Sequence, residues 1–474
     1  TLATGLYISF VLPVFVVRLG LWVLSNTIYR LNVRGKHHVP EQGGALLVAN
    51  HTSFLDALVI IASIDRPVRF IMYQGIYDIP WIKPLAKMMG AIPVTPGGGP
   101  REVVSSLRSA SEAIKNGDLV CIFAEGQITR TGQMLPFRRG FERIMKGVEA
   151  PIVPVYIDQI WGSIFSFANG KFFWKWPKRV PYPITIAFGN SLASTANAYE
   201  LRSAIQELGT HAYTERISPD DLLHRQFFHI ARWNPLQMCV ADGRSGKLSY
   251  FKTLVGSIIL ARKLKAQLGP EEPVGVLLPQ GVGGVLVNVA LTLMGKVPVN
   301  LNYTSSNDSI AAAARQCGMK HVITAHAFLE QLPVVPPTED VIYLEDVMKT
   351  VGPRDHRRGA LSAFFMPVRR LERELGAPAN RSCDDLATII FSSGSEGEPK
   401  GIMLTHFNII SNVDAGIQVF PHRKWDTLVG ILPFFHSFGY TATLWAVLTQ
   451  KLSAVYHPNP LEATGGIVVQ RVVE

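Results

Sequence analysis

Short apolar runs separated by polar turns organise the first half of the chain. The runs 45–49 and 119–123 have the length of buried strands, and the first follows two glycines. Further strands are predicted at 68–71, 90–94 and 153–157. A helix is predicted over 102–115, because Asn116-Gly117 is a common stop signal. The first half is therefore expected to form an α/β domain.

Strands and helices also alternate in the second half. Strands are predicted at 274–278, 297–301, 321–324 and 341–344, and helices at 285–296 and 309–318. Alternation at this spacing indicates parallel βαβ units. The amphipathic stretch 201–232 has mixed charge, and it is the expected joint between two domains.

Composition points to an anionic partner and a reducing compartment. The 474 residues suffice for two or three domains, and the net charge of +10 suits a membrane surface, a nucleic acid or a phosphorylated substrate. The four cysteines form no CxxC pair (Cys121, Cys239, Cys317 and Cys383). We therefore expect reduced thiols in a cytosolic environment and no bound metal in the protein itself.

Two segments are candidates for contact with a membrane. Residues 2–24 are apolar apart from Arg18 and a few small polar residues, without a signal-peptide pattern. They could lie in the membrane interface, end a transmembrane segment, or pack on the domain. The run 171–183 mixes aromatic and basic residues, which favours lipid headgroups over nucleic acid or a solvated hairpin. Because the first residue is Thr1, we expect the chain to begin inside a longer protein.

His51 and Asp56 form the candidate catalytic pair. His51 follows the strand 45–49, and Asp56 comes five residues later, where a helix is expected to begin. Residues five apart lie on different faces of a helix, so the two can meet only across this junction. A carboxylate beside an imidazole fixes its tautomer, as a general base requires. The alternative is a helix cap with a polar contact, whereas Ser53 lacks the surroundings of a nucleophile.

A second block follows the strand 119–123 and suits a phosphate ester. It begins with Glu125 and Gly126 and continues with three arginines, Arg130, Arg138 and Arg139. Arginine forms bidentate hydrogen bonds with phosphate oxygens, so this block is the candidate site for an anionic substrate.

These blocks, in this order, resemble the glycerolipid acyltransferase family over residues 30–215. The NHxxxxD motif is intact at 50–56, and the FPEGTRS motif is matched with Ala124 in place of Pro and Gln127 in place of Thr. The resemblance implies that a hydroxyl attacks an acyl thioester directly, without a cofactor.

The resemblance also implies a role for each matching residue. His51 would deprotonate the free hydroxyl of a lysophospholipid or a glycerol phosphate, and Asp56 would orient His51. The residues expected to hold the substrate phosphate are Glu125, Gly126, Arg130, Arg139 and Arg101.

The sharpest phosphate motif lies at 388–401. A predicted strand leads into a loop of hydroxyls and glycines that closes with a lysine (Ser392, Ser393, Gly394, Ser395, Gly397 and Lys400). Small residues let backbone N–H groups surround a phosphate, hydroxyls donate to it, and the lysine adds a charge. The G-K-[ST] order of a Walker A loop is absent from this stretch.

This stretch resembles the phosphate loop of the adenylate-forming (AMP-binding) superfamily, with Glu396 where a small hydroxyl residue is usual. Residues 432–439 resemble the next motif of that family, which implies that His436 lines an acyl or adenylate pocket. The resemblance implies ATP and Mg²⁺ as cofactors of the full-length ligase. The later motifs of the family do not occur up to Glu474, so we expect the ligase part to be truncated.

Together the halves resemble bifunctional lysophospholipid acyltransferase/acyl-carrier-protein synthetases. The expected parts are a membrane-associated apolar helix (1–30), an acyltransferase domain (31–215) and the N-terminal part of an AMP-binding domain (216–474). Expected partners are an acyl carrier protein or coenzyme A thioester, a lysophospholipid and the cytoplasmic face of a bacterial-type inner membrane, but no nucleic acid. Two alternatives stay open. Either the adenylating domain carries the function and the first domain docks it, or the chain is a degenerate lipid-binding scaffold.

Overall fold

The computed structural model describes residues 20, 27–95, 97, 99–167, 181–214, 216–269, 273–392, 398–420, 423 and 426–457. The chain divides into two units, Thr1–Arg216 and Ile217–Glu474. Outside the described residues lie almost all of 2–24, most of 171–183, and Ser393, Gly394, Ser395, Glu396 and Gly397. Within the described part, no helix combines the length and the apolar character needed to cross a membrane.

A seven-stranded sheet forms the centre of the first unit. Its strands are β1 (Tyr29–Arg34), β2 (Ala45–Ala49), β3 (Val68–Tyr73), β4 (Ile92–Val94), β5 (Leu119–Phe123), β6 (Ile152–Asp158) and β7 (Tyr182–Phe188). Its helices are α1 (Asp56–Ser63), α2 (Gln74–Tyr77), α3 (Lys83–Met88), α4 (Pro100–Lys115), α5 (Gly140–Met145) and α6 (Ala198–Thr214). The strand order is β1-β7-β6-β2-β5-β3-β4, and neighbours are parallel except β6 and β7.

Strand β2 lies in the middle of this sheet and is fully buried. Its residues alternate between two apolar clusters, with Leu47 on one face of the sheet and Leu46 and Val48 on the other. A strand covered on both faces is a continuous apolar run, which is why the sequence predicted it correctly. Because β5 and β6 run parallel to β2, the carboxyl ends of all three strands meet at one edge. The loop after β2 opens at that edge.

The described residues of the second unit form three sheets. Its strands are β8 (Met238–Asp242), β9 (Gly246–Ser249), β10 (Pro273–Val276), β11 (Val297–Asn300), β12 (His321–Thr324), β13 (Asp340–Tyr343), β14 (Leu386–Ser392), β15 (Lys400–Thr405), β16 (Thr427–Gly430) and β17 (Ser453–Tyr456). The strand orders are β11-β10-β12-β13, β14-β15 and β16-β17-β8-β9.

Helices cover these sheets. They are α7 (Leu223–Trp233), α8 (Tyr250–Leu264), α9 (Val282–Leu293), α10 (Asn307–Gln316), α11 (His326–Leu329), α12 (Leu344–Lys349), α13 (Pro353–Phe365), α14 (Val368–Leu375), α15 (His406–Val419) and α16 (Val447–Gln450), with a π-helix at Gly439–Ala446. The four strands predicted at 274–344 do form an all-parallel sheet, which confirms the α/β prediction. Two pairings are antiparallel instead, β8 with β9 and β14 with β15.

Candidate active site

The predicted pair meets at the end of β2. His51 Nδ1 lies 2.8 Å from Asp56 Oδ2. Strand β2 ends at Ala49, and Asp56 is the first residue of helix α1, so a five-residue separation spans the strand–loop–helix junction. The contact across this junction is the one that the spacing predicted.

Asp56 is held in a fixed position by the loop itself. Its Oδ2 accepts hydrogen bonds from the backbone N–H groups of Thr52 at 2.7 Å and Ser53 at 2.9 Å. The Asp56 side chain is fully buried, whereas that of His51 is 19% exposed. The hydrogen-bond network assigns the proton of the neutral imidazole to Nδ1, which leaves the lone pair on Nε2. This tautomer is the one that a general base needs.

An aromatic contact fixes the plane of the His51 ring. Phe123, the last residue of β5, stacks on it with ring centroids 4.1 Å apart and an interplanar angle of 13°. Phe123 is not among the residues that the sequence motifs predict for the site. The available signal was an aromatic residue at the end of a strand that pairs with β2 in register.

Asn50, the first residue of the NHxxxxD motif, joins two strands through its side chain. Its amide donates to the carbonyl of Ile157 at 3.0 Å and accepts from the N–H of Ile157 at 2.7 Å. Asn50 is almost fully buried, so this pair of bonds continues the β2–β6 ladder beyond Ala49. The strand end that carries His51 is thereby tied to β6.

Glu125 supports the loop that carries His51. Its Oε1 accepts from the N–H of His51 at 2.8 Å, and its Oε2 accepts from the N–H of Leu135 at 2.7 Å. Burial raises the pKa of the Glu125 carboxyl, against the opposing effect of these two backbone hydrogen bonds. Both carboxylate oxygens are occupied by the protein, and direct contact between Glu125 and a substrate phosphate stays a prediction.

Ser53 does not offer a nucleophile. Its hydroxyl donates to the carbonyl of Phe165 at 3.0 Å and accepts from the N–H of Leu55 at 3.2 Å. The residue is fully buried. The geometry therefore supports direct attack by a substrate hydroxyl rather than an acyl-enzyme.

Gly126 provides close packing for an arginine. Its φ is +72°, and a Cβ at this position would lie 2.8 Å from Nε of Arg138. Arg138 therefore lies directly over Gly126, the residue that was predicted to contact phosphate. The sequence motif predicts Arg139, and not Arg138, as the phosphate ligand.

The other predicted arginines are Arg130 and Arg139, which follow Gly126 in the chain, and Arg101, which precedes it. Arg130 has its guanidinium carbon 5.5 Å from the ring centroid of Phe167. Arg139 precedes helix α5, and Arg101 lies in the first turn of α4. Each of these three side chains and Arg138 is exposed, and no carboxylate among the described residues forms an ion pair with any of them. Their charges are therefore accessible to an anion from solution.

Two antiparallel strands flank the phosphate motif of the second unit. Strands β14 and β15 pair with Ser392 opposite Lys400, and the Ser392 hydroxyl donates to the Lys400 carbonyl at 3.4 Å. The Lys400 side chain is exposed. A cavity of about 190 Å³ adjoins these strands, and its lining includes Asn302, Ser306 and Ser392. Residues 393–397 of the motif are outside the described part.

His436 lies on an exposed loop before the π-helix. Its Nδ1 accepts from the N–H of Phe438 at 3.2 Å. The ring of the adjacent Phe435 packs edge-on against Tyr303, with centroids 5.0 Å apart. The pocket role of His436 stays a prediction.

Comparison with known families identifies both units. Residues 227–472 match the AMP-binding enzyme family, and residues 30–158 match the Acyltransferase family. The chain belongs to the AMP-binding enzyme family and carries an acyltransferase domain ahead of its AMP-binding domain. Both are families of enzymes, so the predicted fusion is confirmed at this level.

Individual relatives agree with this division. A chloroplastic 1-acyl-sn-glycerol-3-phosphate acyltransferase of Brassica napus is 30% identical over 142 residues, which cover 30% of this chain and 41% of the relative. The probable 4-coumarate–CoA ligase 3 of Dictyostelium discoideum is 25% identical over 263 residues, covering 53% of this chain and 48% of the relative. The chain thus spans less than half the length of each of these curated relatives.

Among solved structures, the O-succinylbenzoate coenzyme A synthetase of Bacillus subtilis in complex with AMP is similar to this chain. The sequence identity is 18% and the TM-score is 0.40, with 51% of this chain and 58% of that chain covered.

Proposed function

We propose that the first unit transfers a fatty acyl group from an acyl thioester to the free hydroxyl of a lysophospholipid. The acyl donor would be an acyl carrier protein or coenzyme A thioester. The observation that carries the proposal is the 2.8 Å contact between His51 Nδ1 and the buried Asp56 carboxylate. This contact leaves Nε2 of a partly exposed imidazole as the proton acceptor.

The residues can support the reaction in two steps. Nε2 of His51 takes the proton of the acceptor hydroxyl. At the same time, the hydroxyl oxygen of the acceptor forms a bond to the thioester carbonyl carbon. The resulting imidazolium is stabilised by the negative charge of Asp56. The C–S bond then breaks, and the thiolate leaves with the proton that His51 returns. The products are an ester and a free thiol, and His51 is neutral again.

The phosphate of the acceptor has a candidate site beside His51. The loop of Glu125 is bonded to the His51 backbone, and the same loop brings Gly126 and Arg138 together. The exposed cations Arg130, Arg138 and Arg139 suit a phosphate ester. The name of the Brassica napus relative specifies 1-acyl-sn-glycerol-3-phosphate as its acceptor, which supports a phosphate-bearing lysolipid as the substrate class. Among lysolipids we favour lysophosphatidylethanolamine.

The test is a transfer assay with separate donor and acceptor panels. The purified chain is given acyl-carrier-protein or coenzyme A thioesters together with lysophosphatidylethanolamine or lysophosphatidic acid, and the diacyl product is identified by mass. His51→Ala should abolish product formation, whereas His211→Ala, which changes an exposed histidine of α6, should not. Unchanged turnover in His51→Ala would overturn the assignment.

We further propose that the full-length protein activates a fatty acid with ATP and Mg²⁺ and loads it onto a carrier thiol at the cytoplasmic face of a bacterial-type inner membrane. The match to AMP-binding enzymes over 227–472 supports this, as does the strand pair that sets Ser392 opposite Lys400. The exposed Lys400 ammonium supplies a positive charge for nucleotide phosphates. ATP would supply the energy for thioester formation.

This second activity can be separated from the first by one substitution. In the full-length protein, Lys400→Ala should reduce acyl loading but leave transfer from a preformed thioester unchanged. Lys252→Ala, which changes an exposed lysine of α8, is the matched control. Equal loss of loading and transfer in Lys400→Ala would contradict two separate sites.

A further inference from the structure

Helix α13 of the second unit has an unusual outer face. Three cations in its first turns and three large apolar side chains in its later turns recur at helical spacing. We define this set as the α13 surface: Arg354, Arg357, Arg358, Leu361, Phe364 and Phe365. Residues three or four apart lie on one side of a helix, so the six form a continuous stripe. The exposed fractions of Leu361, Phe364 and Phe365 are 59%, 60% and 71%.

The inner face of α13 carries the small residues. Gly359, Ser362 and Ala363 are buried, and a Cβ on Gly359 would lie 2.9 Å from Cγ1 of Ile259 on helix α8. A surface helix normally buries its large apolar side chains and exposes polar ones. Here the large apolar side chains point outward, so packing within the second unit does not explain why they are apolar.

The cations of the α13 surface lie at the helix end where the helix dipole is also positive. Arginines near a helix N-terminus are unfavourable, because the backbone N–H groups carry positive partial charge there. Arg354 and Arg357 are exposed, and no acidic side chain among the described residues pairs with either. The nearby acid Asp355 is instead occupied by Lys263 at 2.9 Å and by the N–H of Gly352. Arg358 pairs with Glu374 at 3.0 Å, so the positive charge that remains at this end of the surface is that of Arg354 and Arg357.

Adjacent residues extend the apolar end. Nε of Arg232 donates to the carbonyl of Ala363 at 2.7 Å, which ties the carboxyl end of α7 to that of α13. The next residue, Trp233, is 74% exposed, and Leu236 is 92% exposed. Aromatic and aliphatic groups thus collect at one end of a surface whose other end is cationic.

We propose that the α13 surface docks the second unit onto a bilayer of anionic lipid. Apolar side chains enter the boundary between headgroups and acyl chains, and arginines remain with the lipid phosphates. The positive charge of the surface is complementary to anionic headgroups. Because the arginines and the apolar side chains lie at opposite ends of the helix, the end with Phe364 and Phe365 can insert while the arginines stay at the headgroups. The inference is independent of the acyltransferase proposal, because every residue in it belongs to Ile217–Glu474.

The experiment measures contact between the α13 surface and lipid with a probe placed on that surface. Phe365→Cys, made in a Cys317→Ser background, carries an environment-sensitive fluorophore, since Cys121, Cys239 and Cys383 are buried. The full chain is mixed with vesicles of phosphatidylcholine alone or of phosphatidylcholine with phosphatidylglycerol, with brominated acyl chains as the quencher. A probe on Phe420→Cys, an exposed position on a different helix end, is the control.

Quenching is expected at Phe365→Cys, only with phosphatidylglycerol, and not at Phe420→Cys. The double variant Arg354→Glu/Arg357→Glu should weaken this response at least roughly tenfold, since each basic residue near an anionic surface contributes to binding. The control pair Arg244→Glu/Arg315→Glu makes the same charge change at exposed positions elsewhere and should leave it unchanged. Thermal melts followed by circular dichroism establish that the variants are folded.

Three results would overturn the proposal. The first is a vesicle-bound chain whose Phe365→Cys probe is not quenched, because the membrane would then contact another part of the protein. The second is equal quenching with and without phosphatidylglycerol. The third is a probe that responds to an added acidic protein but not to vesicles, which would assign the surface to a protein partner.

Discussion

The N–H of His51 donates to the buried carboxylate of Glu125 at 2.8 Å. On the other side, the carbonyl of His51 accepts from the N–H of Thr129 at 2.9 Å. The block that follows β5 therefore holds the backbone of the candidate base from both directions. Glu125 positions the base through its main chain, while Asp56 orients the imidazole itself. Two acidic residues thus position one histidine, Glu125 through the histidine backbone and Asp56 through the histidine side chain.

Removal of Glu125 should damage stability and catalysis together. Glu125→Ala leaves the N–H groups of His51 and Leu135 without their acceptors, at roughly 1–3 kcal/mol for each buried donor. We expect a lower free energy of unfolding and a fall in kcat/KM of about tenfold or more, because small displacements of a base are costly. Glu149→Ala, at an exposed acid of the same unit, is the control. Wild-type values of both quantities in Glu125→Ala would contradict this role.

Asp56→Asn should impair chemistry more than folding. An asparagine oxygen can still accept from the N–H groups of Thr52 and Ser53, but its amide donates toward His51 and favours the wrong tautomer. We expect kcat to fall by roughly 10⁴-fold, as it does when the aspartate of a Ser-His-Asp triad is replaced by asparagine. Thiol release measures kcat. Asp65→Asn, at a carboxylate that is 87% exposed, should retain full activity.

Gly126→Ala and Gly147→Ala form a matched pair. Both glycines have positive φ, +72° and +73°, but a Cβ meets Arg138 only at Gly126 and has open space at Gly147. Each alanine should lower the free energy of unfolding by about 1 kcal/mol or more through backbone strain. Only Gly126→Ala should also raise KM for the phosphate-bearing acceptor, because it displaces the Arg138 guanidinium. An equal KM in the two variants would show that Arg138 does not contact the acceptor.

The sequence predicted those strands best that are buried on both faces. The bounds of β2, β5 and β12 agree with prediction to the residue. Strands β2 and β5 are unbroken apolar runs, and β12 places the buried pair Val322 and Ile323 between His321 and Thr324. The meeting of His51 with Asp56 was also predictable, since only a strand–helix junction allows a five-residue separation to close. These features depend on local sequence alone.

Features that depend on distant partners were not predictable. The antiparallel pairing of β14 with β15 depends on which strand becomes the neighbour of β14 in the folded protein. The alternation of apolar residues along β14 does not specify that neighbour. Glu125 accepts hydrogen bonds from two backbone N–H groups, those of His51 and Leu135. The second bond requires the chain to bring Leu135 back to the carboxyl end of β5, which local sequence does not specify. The stacking of Phe123 on His51 likewise requires β5 and β2 to be neighbours.

A buried polar network in the second unit should make it sensitive to acid. His224 Nε2 bonds to Glu372, and Arg225 donates to both oxygens of that carboxylate, at 2.7 and 2.8 Å. Burial is the largest effect on His224 and lowers its pKa to about 4, despite the bond to Glu372. Burial opposes ionisation of Glu372, but the hydrogen bonds from His224 and Arg225 outweigh it and lower its pKa to about 2.

Stability should therefore be lost in two pH windows. Between the ordinary histidine pKa of 6.5 and about 4, the unfolded state binds a proton at position 224 that the folded state does not, so unfolding becomes easier as the pH falls. Below 4.5, protonation of Glu372 in the unfolded state removes further stability as the pH falls toward 2. One pKa unit corresponds to about 1.4 kcal/mol, so His224 alone gives a loss of a few kcal/mol.

His224→Gln should make the upper window shallower, because it removes one of two buried histidines that titrate there. Burial also lowers the pKa of the neighbouring His406 well below its ordinary value, so His406 accounts for the loss of stability that remains. His229→Gln, at an exposed histidine of the same helix α7, should keep the pH dependence of the wild type. Peptide-resolved hydrogen exchange of α7, corrected for the intrinsic pH dependence of amide exchange, measures local opening between pH 7 and pH 4. A protection of α7 that is constant across this range in the wild type would contradict the neutral, buried state of His224.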